Sequence, residues 1–582
     1  MIGPFSAHVR ATRENARARA GTALEAYGFK AEGSRWIGNV HLSDGTSVRV
    51  YIALPASFPD ALPEVFLQSK PCDHIAHIER SGKVCIARES GTLIDAFRPE
   101  DIVTEALSMA RTILQNRSAS DQPRELESEF LAYWLEPSLA TMLSACPPET
   151  LTGPACLANL SYEGSLSLVA PSEEAARDWS LAVGKQIKAT EDAFFVHLNS
   201  LPPPPAFGER MTLRRFLFIV DTNAARESTK KLNLWLKSHG IPATVVLSAP
   251  LVEEAGHVVF ACALREFSRK TVARGEQGFR RGHVPKAIIV TRALDEPMLR
   301  MEVSRVDPAY VLPRGGADLR LRENTVAVVG CGSVGSYVAQ ALAAAGVGTL
   351  VLIDPEVLEA ANIHRHVLGA SHIRTPKVVG LEKTLRERFP HIRIRPFQKR
   401  IESILDEAPV AVLSADLIVF ALGDETLELR LNTFLYGKVR RIHVWLEPLG
   451  VGSHVLSLAK DGMGCFSCLY RRDDSEGLVN MASLVEPGQY FQQSFAGCAG
   501  TFTPFGSLDA EQAALHASRE AVSVLRGDRV RPSLLSWVAS KGSFLAAGRR
   551  LSRRGKSLSE EVLNREFDFT RPGCPVCCKE TG

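Results

Sequence analysis

The chain has 582 residues, 45% hydrophobic and 23% charged, a composition that excludes a disordered or fibrous polymer. Single hydrophobic cores stop growing near about 250–300 residues, so this length implies two to four domains. Its 68 basic and 65 acidic residues leave a formal charge of +3, which gives no general drive toward nucleic acid or an anionic membrane.

No apolar run approaches the ~20 residues that span a bilayer, and the first residues lack the apolar core of a secretory signal. A cytoplasmic protein is expected, with neither membrane nor direct nucleic-acid partners. The twelve cysteines then point to metal or catalytic use rather than to a disulfide framework.

In chain order, His8 to Tyr27 is rich in Arg and Ala but carries Glu14 and Glu25, and reads as a first helix rather than a transit peptide. Trp36–Leu42 and Ser47–Leu54 show partial period-two alternation around the turn Ser43-Asp44-Gly45, which predicts a hairpin. A proline-punctuated stretch, Phe58 to Leu67, leads to an irregular loop holding Gly82-Lys83-Val84-Cys85-Ile86. Pro99 to Leu114 then has helical spacing of Ile102, Ala106, Ala110 and Leu114, with proline near the start.

From about 146 to 315 the pattern reads as α/β. Strands are expected at Phe216–Val220, Thr244–Leu247 and Ala287–Val290, and Pro202–Pro205 reads as a stiff linker or domain edge. No motif there names a function.

Thr325–Val329 is a β-branched strand that enters Gly330-Cys331-Gly332-Ser333-Val334-Gly335 and then a helix from Ser336 to Ala345. Gly330, Gly332 and Gly335 suit a tight turn, close approach to phosphate and close helix–strand packing. A second strand, Thr349–Ile353, ends at Asp354, where a carboxylate can hold a ribose hydroxyl. The motifs that follow, Asn362-Ile363-His364-Arg365-His366, then Lys377, then Gly423-Asp424-Glu425, resemble the signature of the ubiquitin-activating, ThiF and MoeB superfamily. The resemblance covers about 316–582 and implies ATP and Mg²⁺. Arg365 and Lys377 would neutralise phosphates, and Asp424 would hold the magnesium ion while a substrate carboxylate attacks the α-phosphorus. His366 and Glu425 stand where that pattern has glutamine and asparagine.

Cys465-Phe466-Ser467-Cys468 and Cys574-Pro575-Val576-Cys577 form two C-x-x-C hooks, which suit a closed, structural Zn²⁺ site better than redox chemistry, with Cys578 a bystander. Cys498, among small residues in Ser494–Thr501, resembles the thioester cysteine of activating enzymes. At the other end, Phe58-Pro59 through Leu67 together with Gly82–Ile86 resemble ubiquitin-conjugating enzymes over about residues 8–120, with Cys85 as the acceptor thiol. That family's histidine-proline-asparagine tripeptide is missing. His77 stands eight residues before Cys85, where the asparagine would fall, and either it or His74 could donate or shuttle a proton instead.

The resulting expectation is an α/β and α+β multidomain chain: a ubiquitin-conjugating fold at 1–145, a middle α/β linker domain at 146–315 and a Rossmann-like ThiF adenylation domain with a Cys₄ zinc site at 316–582. This order resembles the fused activating and conjugating enzymes of bacterial antiphage cyclic-oligonucleotide signalling operons. It implies adenylation of a protein's exposed C-terminus, a thioester on Cys498, transthiolation to Cys85 and conjugation to a target amine by a homodimer. The activated protein is either a nucleotidyltransferase related to cyclic GMP-AMP synthase or a ubiquitin-like protein. A sulfur-carrier adenylyltransferase with a non-catalytic N-terminal domain is the rival, and an NAD-dependent oxidoreductase a distant third.

Overall fold

The computed structural model describes residues 4–86, 93–116, 126–127, 129–134, 141–149, 151–162, 164–206, 208–251, 256–265, 278–280, 283–494 and 501–578. They form two compact units, one of residues 1–176 with 188–306, the other of 307–582 with 177–187.

The first unit begins with helix α1 (Pro4–Ala26), whose Ala16, Ala20 and Leu24 recur at four-residue spacing and are buried. They face an antiparallel sheet of β1 (Lys30–Glu32), β2 (Arg35–His41), β3 (Ser47–Ala53), β4 (Glu64–Leu67) and β5 (Lys83–Val84), in that order. The expected hairpin is β2–β3, with Asn39 opposite Arg49. Helix α2 (Pro99–Asn116) closes this core with Ile102, Ala106, Ala110 and Leu114, the spacing read from the sequence. A short helix, α3 (Phe130–Trp134), buries Phe130 and Trp134 against Phe260 of the segment that follows.

That segment is a closed barrel of β6 (Thr141–Ser144), β7 (Gly153–Tyr162), β8 (Gly164–Ala170), β9 (Ile187–His197), β10 (Ala243–Pro250), β11 (His257–Leu264) and β12 (Leu299–Arg305), in the order β10-β11-β12-β6-β8-β7-β9. Alternate residues serve two cores. Phe195, Val246 and Ala261 pack together in one, while Phe194, Val245, Leu247 and Phe260 belong to a second core that includes α4 (Leu213–Asn223) and α5 (Arg226–His239). Thr244–Leu247 is a strand as expected, but two other assignments are corrected. Phe216–Val220 lies inside α4, and Ala287–Val290 inside α6 (Lys286–Arg292). In α4, Leu213, Phe216, Ile219 and Val220 are buried at helical spacing, Phe218 is exposed, and the Thr212 hydroxyl caps the Arg215 amide at 3.2 Å. A short apolar run looks alike in either state until its flanks are read. Pro202–Pro205 is irregular, and Pro205 offers its carbonyl to His74 Nε2 at 2.6 Å, so it packs rather than merely links.

The second unit holds an eight-stranded sheet of β13 (Thr325–Val329), β14 (Thr349–Ile353), β15 (Arg393–Phe397), β16 (Leu417–Phe420), β17 (Arg441–Leu446), β18 (Gly452–Leu458), β19 (Ser533–Val538) and β20 (Leu563–Glu566). The order is β15-β14-β13-β16-β17-β18-β19-β20, parallel from β15 to β17 and antiparallel beyond. Val326 and Val328 pack on one face with α7 (Gly335–Ala344), α8 (Lys377–Arg388) and α10 (Ser507–Arg526). Ala327 and Val329 pack on the other with α9 (Glu425–Leu435). Burial on both faces is why these strands are continuously apolar.

The turn from β13 into α7 is closed to a side chain at Gly335 and open to one at Gly332. A Cβ on Gly335 would stand 1.8 Å from the Gly330 carbonyl oxygen, whereas one on Gly332 would meet nothing within 4 Å. Gly335→Ala should therefore cost more than about 3 kcal/mol, and Gly332→Ala should stay within about 1 kcal/mol of the parent. Urea denaturation of the two variants checks this contrast.

Candidate active site

β13 and β16 are neighbours, but their onward connections run to opposite sides of the sheet, and the crevice beyond such paired strand ends is where open parallel sheets take ligands. A cleft of about 780 Å³ opens there, lined by Gly332, Arg365, Gly423, Glu425, Glu447 and Phe505 among others.

Beneath it the glycine turn is tied on both sides. The Cys331 amide donates to Asp354 Oδ2 at 2.7 Å, and the Glu356 amide to Oδ1 at 2.8 Å. Burial raises the Asp354 carboxyl pKa, outweighing the opposite pull of those amides and of nearby Lys377. Lys377, also buried, is ion-paired with Glu356. His366 accepts the Leu368 amide on Nδ1 at 3.0 Å and donates from Nε2 to the Cys331 carbonyl at 2.8 Å. An obligate donor on one nitrogen and an obligate acceptor on the other define a neutral ring. Burial pushes its pKa down to about 4.

Arg365 stacks its guanidinium 4.9 Å from the Phe505 ring centre, and its buried Nε has no hydrogen-bond partner among the described residues. Leaving a buried donor unpaired is costly, so an anionic acceptor brought into the cleft would complete it. Asn362 instead accepts the Glu359 amide at 3.1 Å. Asp424 is exposed and caps α9 by accepting the Leu427 amide at 3.0 Å, while Gly423 and Glu425 on either side of it line the cleft. Of the residues singled out in sequence, Gly332 and Arg365 thus reach the cleft, Gly330, Gly335 and Asp354 shape the turn, and Asn362, Lys377 and Asp424 engage protein groups.

Cys465, Cys468, Cys574 and Cys577 gather with all four sulfurs within 4.8 Å of one another. Neighbouring Sγ atoms are 3.9, 3.6 and 3.4 Å apart. Tetrahedral metal–sulfur bonds of about 2.3 Å place sulfurs about 3.8 Å apart, so the set fits a four-coordinate metal with no open position. The Cys578 sulfur lies 3.7 Å from that of Cys577.

Cys85 is exposed at the end of β5, and its amide donates to the His77 carbonyl at 2.8 Å. His77 Nδ1 is 2.7 Å from Glu129 Oε1, and Tyr133 donates to Glu129 Oε2 at 2.6 Å. His74 turns to Pro205. Glu129 and Tyr133 had no sequence signal, because they sit far downstream outside any motif. Cys498 lies outside the described residues. The pair Ser494 and Thr501 brackets it across a two-stranded ladder, and residues on both sides, Phe491 before and Thr503 after, line the same cleft.

Residues 311–519 match the ThiF family, and residues 11–142 match prokaryotic E2 family B. Over 543 residues the chain is 21% identical to the ATP-dependent ubiquitin transferase-like protein Cap2 of Pseudomonas aeruginosa, covering 90% of this chain and 88% of that one. Over 570 residues it is 23% identical to the Escherichia coli protein of the same description, covering 90% and 89%. A stretch of 154 residues is 29% identical to the molybdopterin-synthase adenylyltransferase of Escherichia coli, covering 26% of this chain and 60% of that enzyme. Among the described residues, no helix is long and apolar enough to cross a membrane.

His366 gives the turn a pH dependence. Its folded-state pKa near 4 lies below the ordinary value of 6.5, so the unfolded chain takes up the proton first as pH falls. Stability from the neutral ring is present above pH 6.5 and is lost progressively toward pH 4, by about 2 kcal/mol between pH 7 and pH 5. His366→Gln keeps a donor and an acceptor without a titrating ring. Urea titrations at the two pH values should show a smaller loss for the variant than for the parent.

Proposed function

Starting from a chain that joins a conjugating-type segment to a ThiF-type adenylation segment, we propose that it activates the C-terminal carboxylate of a protein and delivers it through two thiols to an amine. The carboxylate attacks the α-phosphorus of ATP, forming an acyl-adenylate and releasing pyrophosphate. The Cys498 thiolate attacks the acyl carbon and AMP leaves. Cys85 then displaces Cys498 by thiol exchange, and an amine displaces Cys85, leaving an amide and a thiolate.

The observation that carries this reading is that one cleft is lined by the glycine turn, by Arg365 with its unpaired donor, and by residues on both sides of the segment holding Cys498. From Ser494 to Cys498 the chain can reach at most about 14 Å. In this reading the amides of the turn and Arg365 meet the phosphates, Asp354 and Asn362 settle the ribose end, and Lys377 exchanges Glu356 for phosphate when nucleotide enters. Mg²⁺ at Asp424 would offset the remaining phosphate charge. Zn²⁺ at the four cysteines would be structural, tying the segment before the cleft wall to the chain's C-terminal residues. Of the expected domains 1–145, 146–315 and 316–582, the middle one begins earlier than 146, since β6 at Thr141–Ser144 belongs to its barrel; in this reading the enzyme works in the cytoplasm as a homodimer, and its activated protein is a nucleotidyltransferase related to cyclic GMP-AMP synthase in antiphage signalling.

Incubation with ATP·Mg²⁺ and either such a nucleotidyltransferase or a ubiquitin-like protein, followed by non-reducing gels, tests the relay. Cys85→Ala should leave a thiol-sensitive adduct on Cys498, and Cys498→Ala should abolish all adducts. If neither substitution matters, the sulfur-carrier adenylyltransferase reading replaces this one. Arg365→Ala should lower ATP–pyrophosphate exchange by about 100-fold. Metal analysis should find zinc in the parent and none in Cys465→Ser, with a lower melting temperature in the variant.

A further inference from the structure

Beside Cys85, His77 has a φ of 60°, a left-handed conformation disfavoured for any residue with a Cβ and one that persists only where its surroundings enforce it. Glu129 is the enforcing group. Its Oε1 accepts from His77 Nδ1 at 2.7 Å, and its Oε2 accepts the His77 backbone amide at 3.0 Å. The Tyr133 hydroxyl gives this carboxylate a third bond, the second at Oε2, at 2.6 Å. Burial first, and then the hydrogen bond to Glu129, raise the Tyr133 pKa, so the phenol stays protonated and keeps donating. The support is firm, because Glu129 directly precedes α3, whose Phe130 and Trp134 are buried against Phe260.

One carboxylate therefore fixes both the backbone and the ring of a residue whose carbonyl receives the Cys85 amide at 2.8 Å. With the Nδ1 proton directed at a carboxylate, neutral His77 carries its lone pair on Nε2. Resting on the relay proposed above, we infer that His77 Nε2 takes the proton from the amine that discharges Cys85, with Glu129 as the positioning residue. The amine nitrogen forms a bond to the acyl carbon, the carbon–sulfur bond breaks with its electron pair going to Cys85 Sγ, and the nitrogen's proton goes to Nε2, from which solvent or the thiolate removes it. A lysine amine is ordinarily protonated at neutral pH, so this acceptor matters most for lysine.

Among the described residues Glu79 also brings a carboxylate to the thiol, with Oε1 4.0 Å from Cys85 Sγ and Oε2 accepting from the Ser81 hydroxyl at 3.0 Å. It is the rival proton acceptor and belongs in the test. Full-length protein carrying Cys72→Ser and Cys498→Ser is loaded at Cys85 by thiol exchange with the 2-mercaptoethanesulfonate thioester of acetylglycine. Loss of the acyl group to lysine or to hydroxylamine, which is already neutral at neutral pH, is followed by intact mass. The ratio of lysine rate to hydroxylamine rate should fall about tenfold or more in His77→Ala and in Glu129→Gln, stay put in Glu79→Gln, and recover in His77→Ala when imidazole is added. An unchanged ratio in the first two variants, equal loss toward both nucleophiles, or a fall in Glu79→Gln instead would each overturn the inference. Because loading bypasses ATP, failure of the relay would appear separately, as wild-type Cys85 that ATP·Mg²⁺ never charges.

Discussion

Two backbones meet at the ends of β13 and β16 more closely than side chains allow, and the cleft beyond them exists because of that approach. A Cβ on Gly330 would stand 2.6 Å from the Ala421 carbonyl oxygen, and Gly330 itself has a φ of 84° that favours glycine. With this contact made, the chain turns sharply, the Ser336 amide bonds the Gly332 carbonyl at 3.0 Å, and Gly332, Ser333 and Val334, just before α7, line the cleft. The turn would be loose if its own polar groups were unpaired. Asp354 takes the Cys331 amide and His366 takes the Cys331 carbonyl, so one residue of the turn is pinned from opposite directions. Both partners are buried, and burial is also what shifts their protonation, so the same desolvation that rigidifies the turn keeps the imidazole neutral.

A second set of buried polar groups carries that rigidity outward. Glu447, at the cleft wall, accepts from His454 Nε2 at 3.0 Å, from the Leu484 amide at 3.1 Å and from the Ser483 hydroxyl at 3.0 Å. His454 is held in turn by the Ser536 hydroxyl at 2.9 Å, which receives Arg554 at 2.8 Å. Buried pairs of this kind contribute little net stability once desolvation is counted, yet breaking one member is costly. Their effect here is geometric. Residues 483–485 are fixed to β18, and the chain leaves that anchor along the cleft wall toward Phe491 and the segment with Cys498.

Legibility from sequence follows the same physical division. The glycine turn, Asp354 and the paired cysteines were readable because fixed spacings along one stretch of chain impose their geometry locally. The α2 face and the β2–β3 hairpin were readable from periodicity. Partners brought together by tertiary packing were not. Nothing near Arg365 announces Phe505, nothing near Lys377 announces that Glu356 will hold it, and Glu129 and Tyr133 lie beyond any motif around Cys85. Closure of the barrel was equally hidden, because strands buried on both faces lose their alternation, and α4 then looks like one more strand.

Putting both thiols in one chain changes the kinetics of the proposed relay more than its chemistry. A separate conjugating enzyme would have to be met by diffusion, at a rate set by its concentration, whereas a tethered thiol presents an effective concentration set only by the linkage and its reach. That benefit vanishes if the tether cannot bring the sulfurs together, in which case a second copy of the chain must supply the acceptor. An acyl group on Cys85 is open to premature loss, since Cys85 is solvent-exposed. A proton acceptor held rigidly by Glu129 answers that difficulty better than a mobile one. A fixed Nε2 assists a nucleophile only along one approach, which an amine docked on its carrier protein can satisfy repeatedly and a passing water molecule cannot.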